Sequence, residues 1–321
     1  MGQSIELIEF IRLLLSAHRY KLSRVTVHEK LSKTPKEMSN LIRECKGYGV
    51  IIRSTSNYYQ LKTEVDLLDQ DVIFKGVSGS GRVEVLPQID STNSYMLRNS
   101  EYLASGDTVL SEIQTAGRGR RGNQWHTSFG KQLMLSTCYV FDRIEAMSGL
   151  SLGIGVAVAQ SIESFSKKEI QLKWPNDIYY KDRKVGGILI ETVPSRGKVK
   201  AVIGVGLNIY SDKLDNISQR YTSIYITDSR ERVPQAFSRN SISIELINRI
   251  KHICQMYEQG DIAPVIEAFE ARDFLFGRKI KVELDQEMCE GYAAGVDKTG
   301  SLKIVNKEGQ HLISSGHIVS F

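Results

Sequence analysis

Apolar positions in the first fifth of the chain repeat first with a helical period and then with that of strands. Residues 4–17 predict a helix, because one face collects Ile5, Ile8, Ile11, Leu14 and Leu15. A short second helix is expected near Val25–Leu31. A third begins after Thr34, a good N-cap, with Pro35 at the first helical position and Glu37 completing a capping box.

The third helix and the hairpin after it give this segment the element order of a winged helix-turn-helix. The apolar face of the helix holds Met38, Leu41, Ile42 and Cys45. Its polar face holds Lys36, Ser39, Asn40 and Arg43. Gly47 and Gly49 end the helix, and Val50–Arg53 and Tyr58–Leu61 are expected to pair as strands. A three-helix packing module with a solvated polar face has the same pattern, so the elements alone do not decide between the two.

Residues 83–210 mix short strands with helices, and their spacing predicts a mixed or largely antiparallel sheet. The predicted strands are Asp107–Gln114, Lys131–Phe141, Ile170–Trp174, Gly187–Val193 and Ala201–Ile209. The predicted helices are Ser94–Asn99, Ser148–Phe165, Asn240–Gln259 and Ala263–Ala271. From Arg278 onward, short alternating strands predict a small β-barrel. We expect a multidomain α+β protein, divided into residues 1–65, 66–272 and 273–321.

The formal net charge of +5 is unevenly distributed over the 321 residues. Residues 1–62 hold eleven Lys/Arg against five Asp/Glu, a balance of +6, whereas the remaining 259 residues hold thirty-one against thirty-two. A basic small domain attached to a neutral large one indicates nucleic-acid contact at the N-terminal end. Together with the polar face of the third helix, this charge favours DNA as a partner.

Composition argues against several other classes of protein. The four cysteines form no CxxC pair and the six histidines form no HExxH or HxxxH set, so neither a structural zinc site nor a disulfide framework is expected, and no metal ligands are assigned. No apolar run approaches the roughly 20 residues that span a bilayer. Glu6, Glu9 and Arg12 interrupt any signal-peptide core. We expect a cytoplasmic protein with no membrane partner.

The segment Gly117–Gly122, with the sequence GRGRRG, carries the strongest chemical signal. Glycine lets the backbone approach a ligand closely, and arginine offers a fixed fork of donors for phosphate or carboxylate. A strand, not a helix, is expected next, so the literal GxGxxG match is not a dinucleotide fingerprint, and no GxxxxGK[ST] occurs. A solvated basic loop is the alternative. Lys173–Asp177 (KWPND) and Arg183–Gly187 (RKVGG), about sixty residues further on, favour a phosphate site.

These motifs, joined by three others, resemble the biotin–protein ligases in order and spacing. The others are Asp90–Asn93 (DSTN), Gln114–Ala116 (QTA) with Trp125, and Ile188–Glu191 (ILIE). With a winged helix in front, the chain resembles the bifunctional bacterial type that also represses the biotin operon. The resemblance is strong over residues 80–210, moderate over 1–62 and weak after 210. It implies a central mixed-sheet catalytic domain of the biotin/lipoate-ligase type and a C-terminal SH3-like β-barrel.

The resemblance also implies a two-step reaction on ATP and biotin, with Mg²⁺ accompanying ATP. The biotin carboxylate attacks the α-phosphate and gives biotinyl-5′-adenylate and pyrophosphate. A lysine amine of the biotin carboxyl carrier protein of acetyl-CoA carboxylase then attacks the acyl carbon and releases AMP. Both steps build negative charge on oxygen, so fixed cationic donors are the expected means of catalysis. Operator DNA, and a homodimer formed when biotinyl-AMP is bound, are the further partners implied.

By position, the resemblance assigns biotin contacts to Ser91, Thr92, Asn93, Gln114, Gly117, Arg118, Gly119, Arg120, Lys184 and Gly187. It assigns nucleotide contacts to Arg118, Arg120, Arg121, Asn176 and Asn208. Lys184 is the first choice for the catalytic cation, assisted by Arg118 and Arg120. Asp177 is expected to position the acceptor amine or the metal. DNA contacts are expected from Lys36, Ser39, Asn40 and Arg43.

Plainer roles stay open for several of these residues. Ser91–Asn93 also suit a helix cap, Asn176 and Asp177 suit a turn, and Arg121 suits bonding to carbonyls of its own loop. His126 and Met134 stand where aromatic residues are frequent in the family, so the pocket walls are expected to differ. Alternative functions are a ligase whose winged helix is only structural, a lipoate-type protein ligase, and a metabolite-sensing repressor without turnover.

Overall fold

Three helices and a small sheet form the N-terminal module. The structure, a computed structural model, describes residues 2–211, 221–226, 233–284 and 287–321. The module consists of α1 Gly2–Leu15, β1 Lys21–Ser23, α2 Arg24–Leu31, α3 Pro35–Gly47, β2 Ile52–Ser54 and β3 Tyr58–Leu61. The strands pair antiparallel in the order β1-β3-β2. The predicted helices and hairpin are confirmed with shifted ends, whereas β1 was missed because three residues carry no readable period.

Helix α3 begins with the predicted capping box. The Oγ1 atom of Thr34 accepts from the Glu37 backbone N–H at 3.3 Å, and Glu37 Oε2 accepts from the Thr34 backbone N–H at 2.7 Å. The apolar face is buried at Met38, Leu41 and Cys45 and half-buried at Ile42. The polar face is exposed, as predicted, at Lys36, Ser39, Asn40 and Arg43. This face is therefore available for contact with a partner.

The core of the N-terminal module continues into the central domain. Ile113 and Phe129 belong to the same buried cluster as the apolar face of α1. The rings of Tyr48 and Phe129 lie 6.1 Å apart, and the Tyr48 hydroxyl donates to Gln88 Oε1 at 3.3 Å. The module thus packs directly against the central domain.

A seven-stranded mixed sheet forms the centre of the molecule. Along the chain come α4 Gln70–Gly76, β4 Val83–Ile89, α5 Thr92–Arg98, β5 Thr108–Gln114, β6 Gly117–Arg118, β7 Gln124–Trp125, β8 Gln132–Phe141, α6 Leu150–Glu163, β9 Gln171–Lys173, β10 Asp177–Tyr180, β11 Arg183–Ser195 and β12 Lys198–Asn208. The sheet order is β4-β5-β8-β12-β11-β10-β9, with β4 and β5 parallel and the other neighbours antiparallel. The predicted mixed sheet is confirmed, but β4 and β10 were not predicted.

Helices cover both faces of this sheet. After β12 come β13 Tyr210–Ser211, β14 Tyr225–Ile226, α7 Arg239–Gln259 and α8 Ala263–Glu270. Successive residues of a strand point to opposite faces. Accordingly Ala201 and Ile203 of β12 join the large core with α6 and α7, whereas Val202 packs with Met96 of α5 on the other face. Within the described residues, no helix is both long and apolar enough to cross a membrane.

A five-stranded antiparallel sheet forms the C-terminal part. Its strands are β15 Lys279–Glu283, β16 Met288–Val296, β17 Leu302–Asn306, β18 Gly309–Ile313 and β19 His317–Ser320, in the order β18-β17-β16-β15-β19. No pairing between the edge strands β18 and β19 occurs in the described residues, so closure into an SH3-like barrel stays a prediction. The Trp174 indole N–H donates to the Gly300 carbonyl at 3.1 Å and ties this sheet to the central one.

A buried ion pair fixes the linker between the N-terminal module and the central sheet. The guanidinium of Arg239, the first residue of α7, is completely buried and donates to Glu112 Oε2 at 2.7 Å. It also donates to the backbone carbonyls of Asp66 at 2.6 Å and Gln132 at 2.8 Å. The second oxygen of Glu112 accepts from the Leu68 backbone N–H at 2.6 Å. One side chain therefore joins the linker, β5, β8 and α7.

We predict that Arg239→Met lowers the free energy of unfolding by about 3–5 kcal/mol, because it leaves the buried Glu112 carboxylate without its counter-charge. Urea unfolding followed by far-ultraviolet circular dichroism measures the loss. Lys198→Met is the control, since it removes a lysine from an exposed pair with Asp142 and should change stability far less. Equal effects of the two substitutions would contradict the assignment.

Candidate active site

A cavity of 1010 Å³ lies between the central sheet and the C-terminal sheet. Its walls come from the start of α5, the loop after β5, the turn between β9 and β10, the strands β11 and β12, and β19. Small-molecule sites usually measure about 300–1,000 Å³, so this one suits one large ligand or two smaller ones. The predicted residues that line it are Ser91, Thr92, Asn93, Gln114, Arg118, Gly119, Arg120, Arg121, Asn176, Asp177, Lys184, Gly187 and Asn208.

Gly117 is the exception among the predicted ligand contacts. It is buried in the β6–β7 pair opposite Trp125 and is not among the residues that line the cavity. A Cβ at this position would lie 2.4 Å from the Trp125 carbonyl oxygen. Glycine is needed there for the close approach of two backbones, and the ligand contact of Gly117 stays a prediction.

The start of α5 is fixed by hydroxyl and amide groups. Ser91 is its N-cap, which confirms the capping role. The Oε1 atom of Gln114 accepts from the backbone N–H of Thr92 at 2.7 Å and from its hydroxyl at 3.1 Å. The Ser136 hydroxyl lies 2.7 Å from the Thr92 hydroxyl. These groups form one connected polar end of the cavity.

Asn93 is held from three directions. Its Oδ1 accepts from the Ser136 hydroxyl at 2.6 Å. Its Nδ2 donates to the Leu189 carbonyl at 3.2 Å and to Glu191 Oε2 at 3.0 Å. A Cβ at Gly204 would lie 2.2 Å from Asn93 Oδ1, so this strand position must be glycine for Asn93 to fit. The predicted biotin contacts of α5 therefore form a rigid group.

The three arginines of the loop Gly117–Gly122, called here the arginine loop, have three different partners. Arg118 forms an ion pair with Glu191 of β11. Arg120 donates from Nη1 to Asn176 Oδ1 at 3.0 Å. Arg121 donates from Nη1 to Glu283 Oε2 at 2.7 Å, which rules out the alternative that it bonds only to carbonyls of its own loop.

Arg120 differs from the other two loop arginines, because its hydrogen bond in the described residues goes to an uncharged amide and not to a carboxylate. Burial lowers the pKa of Arg120 from its ordinary value; Arg121 lowers it further, whereas the Asp177 carboxylate opposes the shift. The Asn176 side chain is itself fixed, because its Nδ2 donates to the Ile188 carbonyl at 2.8 Å. A guanidinium stays protonated in proteins, so Arg120 holds a partly desolvated positive charge inside the cavity.

Lys184 and Asp177 meet across the β10–β11 pair. Asp177 lies opposite Gly187 in the antiparallel register, and the Lys184 Nζ lies 2.6 Å from Asp177 Oδ1. Asp177 begins β10, so its interpretation as a turn residue is wrong. A Cβ at Gly187 would stand 3.6 Å from the Lys184 Nζ, at ordinary van der Waals distance, so the packing of this pair does not itself require glycine.

Asn208 belongs to a series of hydrogen bonds that connects Gln132 to Lys184. Gln132 Nε2 donates to Asn208 Oδ1 at 2.8 Å, and Asn208 Nδ2 donates to the Thr222 carbonyl at 3.1 Å. The Thr222 backbone N–H then donates to the Lys184 carbonyl at 2.9 Å. The predicted nucleotide contact and the predicted catalytic lysine are thus linked through one strand end.

Sequence reasoning missed several residues that shape the cavity. Glu191 was seen only as the end of a motif, and Glu283 was not considered, because their arginine partners lie 73 and 162 residues away. Lys173, named from the sequence only as part of KWPND, is buried and lines the cavity, with its Nζ 4.0 Å from the ring centre of Phe321. The DNA-directed set on α3 takes no part in lining the cavity. In the described parts of the chain, no group of three or more His, Cys, Asp or Glu side chains forms a metal-binding cluster.

Comparison with known proteins decides the family. The model of the biotin/lipoate A/B protein ligase family matches residues 85–208. The chain is 32% identical over 282 residues to the bifunctional ligase/repressor BirA of Escherichia coli, with 85% of both chains covered. The chain belongs to the biotin/lipoate A/B protein ligase family.

One further sequence relative and one solved structure are both biotin–protein ligases. The chain is 30% identical over 260 residues to the biotin–[acetyl-CoA-carboxylase] ligase of Mycobacterium tuberculosis, which covers 78% of this chain and 93% of the relative. The biotin protein ligase of Aquifex aeolicus, solved in complex with biotin and ATP, has a TM-score of 0.60 at 24% identity. That likeness covers 74% of this chain and 97% of the other, and it concerns the fold. The chain is an enzyme of the biotin–protein ligase family.

We predict that Gly206→Ala displaces Trp125, because a Cβ at Gly206 would lie 2.7 Å from the Trp125 ring. Tryptophan emission should shift to longer wavelength as that ring moves toward solvent, while Trp174, which is 2% exposed, reports no change. Gly47→Ala is the control, since nothing lies within 4 Å of its Cβ position. Identical emission from both variants would argue against this packing.

Proposed function

We propose that this chain is an ATP-dependent biotin–protein ligase that also represses biotin-synthesis genes. It would form biotinyl-5′-adenylate from biotin and ATP and transfer biotin to a lysine of a biotin carboxyl carrier protein. The names of the relatives from Escherichia coli and Mycobacterium tuberculosis support the ligase activity, as does the Aquifex aeolicus protein bound to biotin and ATP.

The observation that carries the ligase proposal is the position of Lys184. Its ammonium, 2.6 Å from Asp177, shares the cavity with the partly desolvated guanidinium of Arg120 and with the hydroxyl and amide groups around Asn93. In adenylation a negatively charged carboxylate must approach a negatively charged phosphate. The reaction therefore needs cations where these two groups meet, apart from the groups that bind the rest of biotin. Fixed cations stabilise the negative charge that develops in such a transition state.

We assign the end of the cavity that is lined by hydroxyl and amide groups to the ring system of biotin. Ser91, Thr92, Asn93 and Gln114 offer hydroxyl and amide groups, and these donors and acceptors suit a ureido group. Gly119 and Gly187 would lie along the rest of biotin. Met134, which lines this region, is buried at the place where an aromatic side chain is frequent in the family.

We assign the cationic end to the nucleotide. Arg118 and Arg120 would bind the phosphate and the developing adenylate, and Asn176 would hold Arg120 in position. Asn208 would contact the base. The sequence predicts Arg121 in the same set, but its side chain pairs with Glu283 of the C-terminal sheet.

Lys184 would neutralise the charge shared between the biotin carboxylate and the α-phosphate. Its bond to Asp177 orients the ammonium, and ligand oxygens would then share or replace that carboxylate. In the second step, Asp177 would help to orient the acceptor amine once Lys184 has turned to the phosphate.

Mg²⁺ fits these residues as an ion that arrives with the nucleotide. Magnesium is usually held by one or two carboxylates together with substrate phosphates, and Asp177 offers one such carboxylate. The described residues gather no larger acidic cluster that would hold the ion alone. When bound, Mg²⁺ supplies neutralisation of phosphate charge.

For the repressor activity we propose that residues 1–65 are a winged helix-turn-helix, followed by a catalytic domain to residue 272 and an SH3-like barrel to 321. The exposed polar face of α3 and the +6 balance of residues 1–62 support contact with DNA. A single winged helix contacts few phosphates, so useful affinity requires two copies on a two-fold operator. Biotinyl-adenylate would promote that dimer.

A lipoate-type protein ligase is the competing enzymatic function. The family whose model matches includes lipoate ligases, so the match alone does not separate the two substrates. The GRGRRG loop and the relatives that are named as biotin ligases favour biotin.

We predict that Lys184→Ala lowers the rate of biotinyl-adenylate formation by about 10²–10³, the usual loss for one transition-state donor. Single-turnover release of pyrophosphate in the presence of biotin measures the rate, and calorimetry should show nearly unchanged biotin binding. Lys198→Ala, at the far end of β12, is the matched control. Near-normal pyrophosphate release by Lys184→Ala would remove this residue from the mechanism.

We predict that Arg43→Ala weakens operator binding by roughly tenfold and leaves carrier biotinylation intact, because Arg43 belongs to the exposed face of α3. Gel-shift titrations at fixed salt, with and without biotin and ATP, measure the effect. Arg196→Ala removes the same charge from the turn between β11 and β12 and serves as the control. If wild-type protein retards no palindromic DNA from a biotin operon, the N-terminal module is structural only.

A further inference from the structure

The arginine loop contains one residue in a backbone conformation that its type disfavours. Arg121 has φ 55° and ψ 34°, in the left-handed region, and Gly122 follows with φ 74°. Glycine adopts this conformation freely, whereas a long side chain rarely does and is kept there by its surroundings. The contacts of Arg121 therefore indicate what holds the bend of the loop.

The side chain of Arg121 leaves the loop and reaches the C-terminal sheet. Its Nη1 donates to Glu283 Oε2 at 2.7 Å, across 162 residues of sequence. Both side chains are about half exposed, at 44% and 48%. The contact is thus a surface ion pair between two separate parts of the fold.

Glu283 lies next to the cavity without lining it. It is the last residue of β15 and stands opposite His317 of β19 in the sheet register. His317 and the following Ile318 do line the cavity. The strand end that receives Arg121 is therefore paired with the strand that carries a wall of the site.

We propose that Arg121 is a positioning residue, and that its ion pair with Glu283 latches the arginine loop to the C-terminal sheet and slows escape of the bound adenylate. The proposal rests on the ligase function above. It separates the three arginines: Arg118 and Arg120 face the ligand, and Arg121 holds the loop that carries them.

The strength of the latch follows from its exposure. Exposed ion pairs contribute little, so losing this one should speed loop opening by about two- to fivefold and not more. The effect should shrink at high salt, because exposed charges are screened. A latch of this strength slows the loss of the adenylate without preventing the loop from opening. The loop must still open, because the carrier protein has to reach the adenylate.

The test is Glu283→Gln, read in two ways. In ligand-free protein, trypsin should cut within residues 118–121 about two- to fivefold faster than in wild type. In enzyme loaded with biotin and labelled ATP, adenylate should dissociate faster by the same factor after a chase with unlabelled biotin, at an unchanged rate of adenylate formation. The swapped pair Arg121→Glu with Glu283→Arg should restore the rate of adenylate dissociation toward wild type; it is not compared by trypsin, because it removes the cleavage site at residue 121.

Glu290→Gln is the control, because it breaks an equally exposed pair, with Lys279, in the same sheet. Unchanged tryptic cleavage in Glu283→Gln would overturn the latch. Faster cleavage with unchanged adenylate release would overturn its role in retention. If wild-type protein forms no adenylate, the ligase function and the retention role fall together, and the cleavage result alone still decides whether Glu283 holds the loop.

Discussion

The buried contact between Arg239 and Glu112 constrains the geometry on which the site depends. Removing two charges from water is costly and is offset only by close pairing with further hydrogen bonds. Here the carbonyls of Asp66 and Gln132 accept from the same guanidinium. Two residues beyond Glu112, strand β5 ends at Gln114, where the polar end of the cavity begins. The Gln132 side chain reaches Asn208 at the nucleotide end. The contact between Arg239 and Glu112 therefore helps to position Gln114 at the polar end of the cavity and Gln132 at the nucleotide end.

Within that frame, cationic side chains are held by partners before any ligand arrives. Lys184 has Asp177, Arg118 has Glu191, and Arg121 has Glu283. Such pairing keeps the cations oriented, and oriented charges lose little by reorganising during the reaction. An anionic ligand must compete with a carboxylate at Lys184 and Arg118 but with a neutral amide at Arg120. Arg120 is therefore the cation best suited to receive the ligand first.

The sequence predicts the parts of this molecule whose signal is local. The capping box at Thr34 forms as expected, the long helices appear where the periodicity indicates, and the residues of three motifs meet in one cavity. Strands of three or four residues, such as β1 and β10, are too short to show a period. Glu191 and Glu283 acquire their roles from partners distant in sequence, which no local pattern relates. A motif also does not tell which of its glycines pairs with a neighbouring strand, as Gly117 does.

The roles proposed for these residues all depend on one function, the activation of biotin with ATP for transfer to a carrier lysine. The most direct test is the intact mass of a purified biotin carboxyl carrier domain after incubation with this protein, ATP and either biotin or lipoate. We expect the mass of one added biotinyl group, dependent on ATP and absent when the acceptor lysine is replaced. An unmodified carrier domain, or one that gains lipoate in preference to biotin, would contradict it.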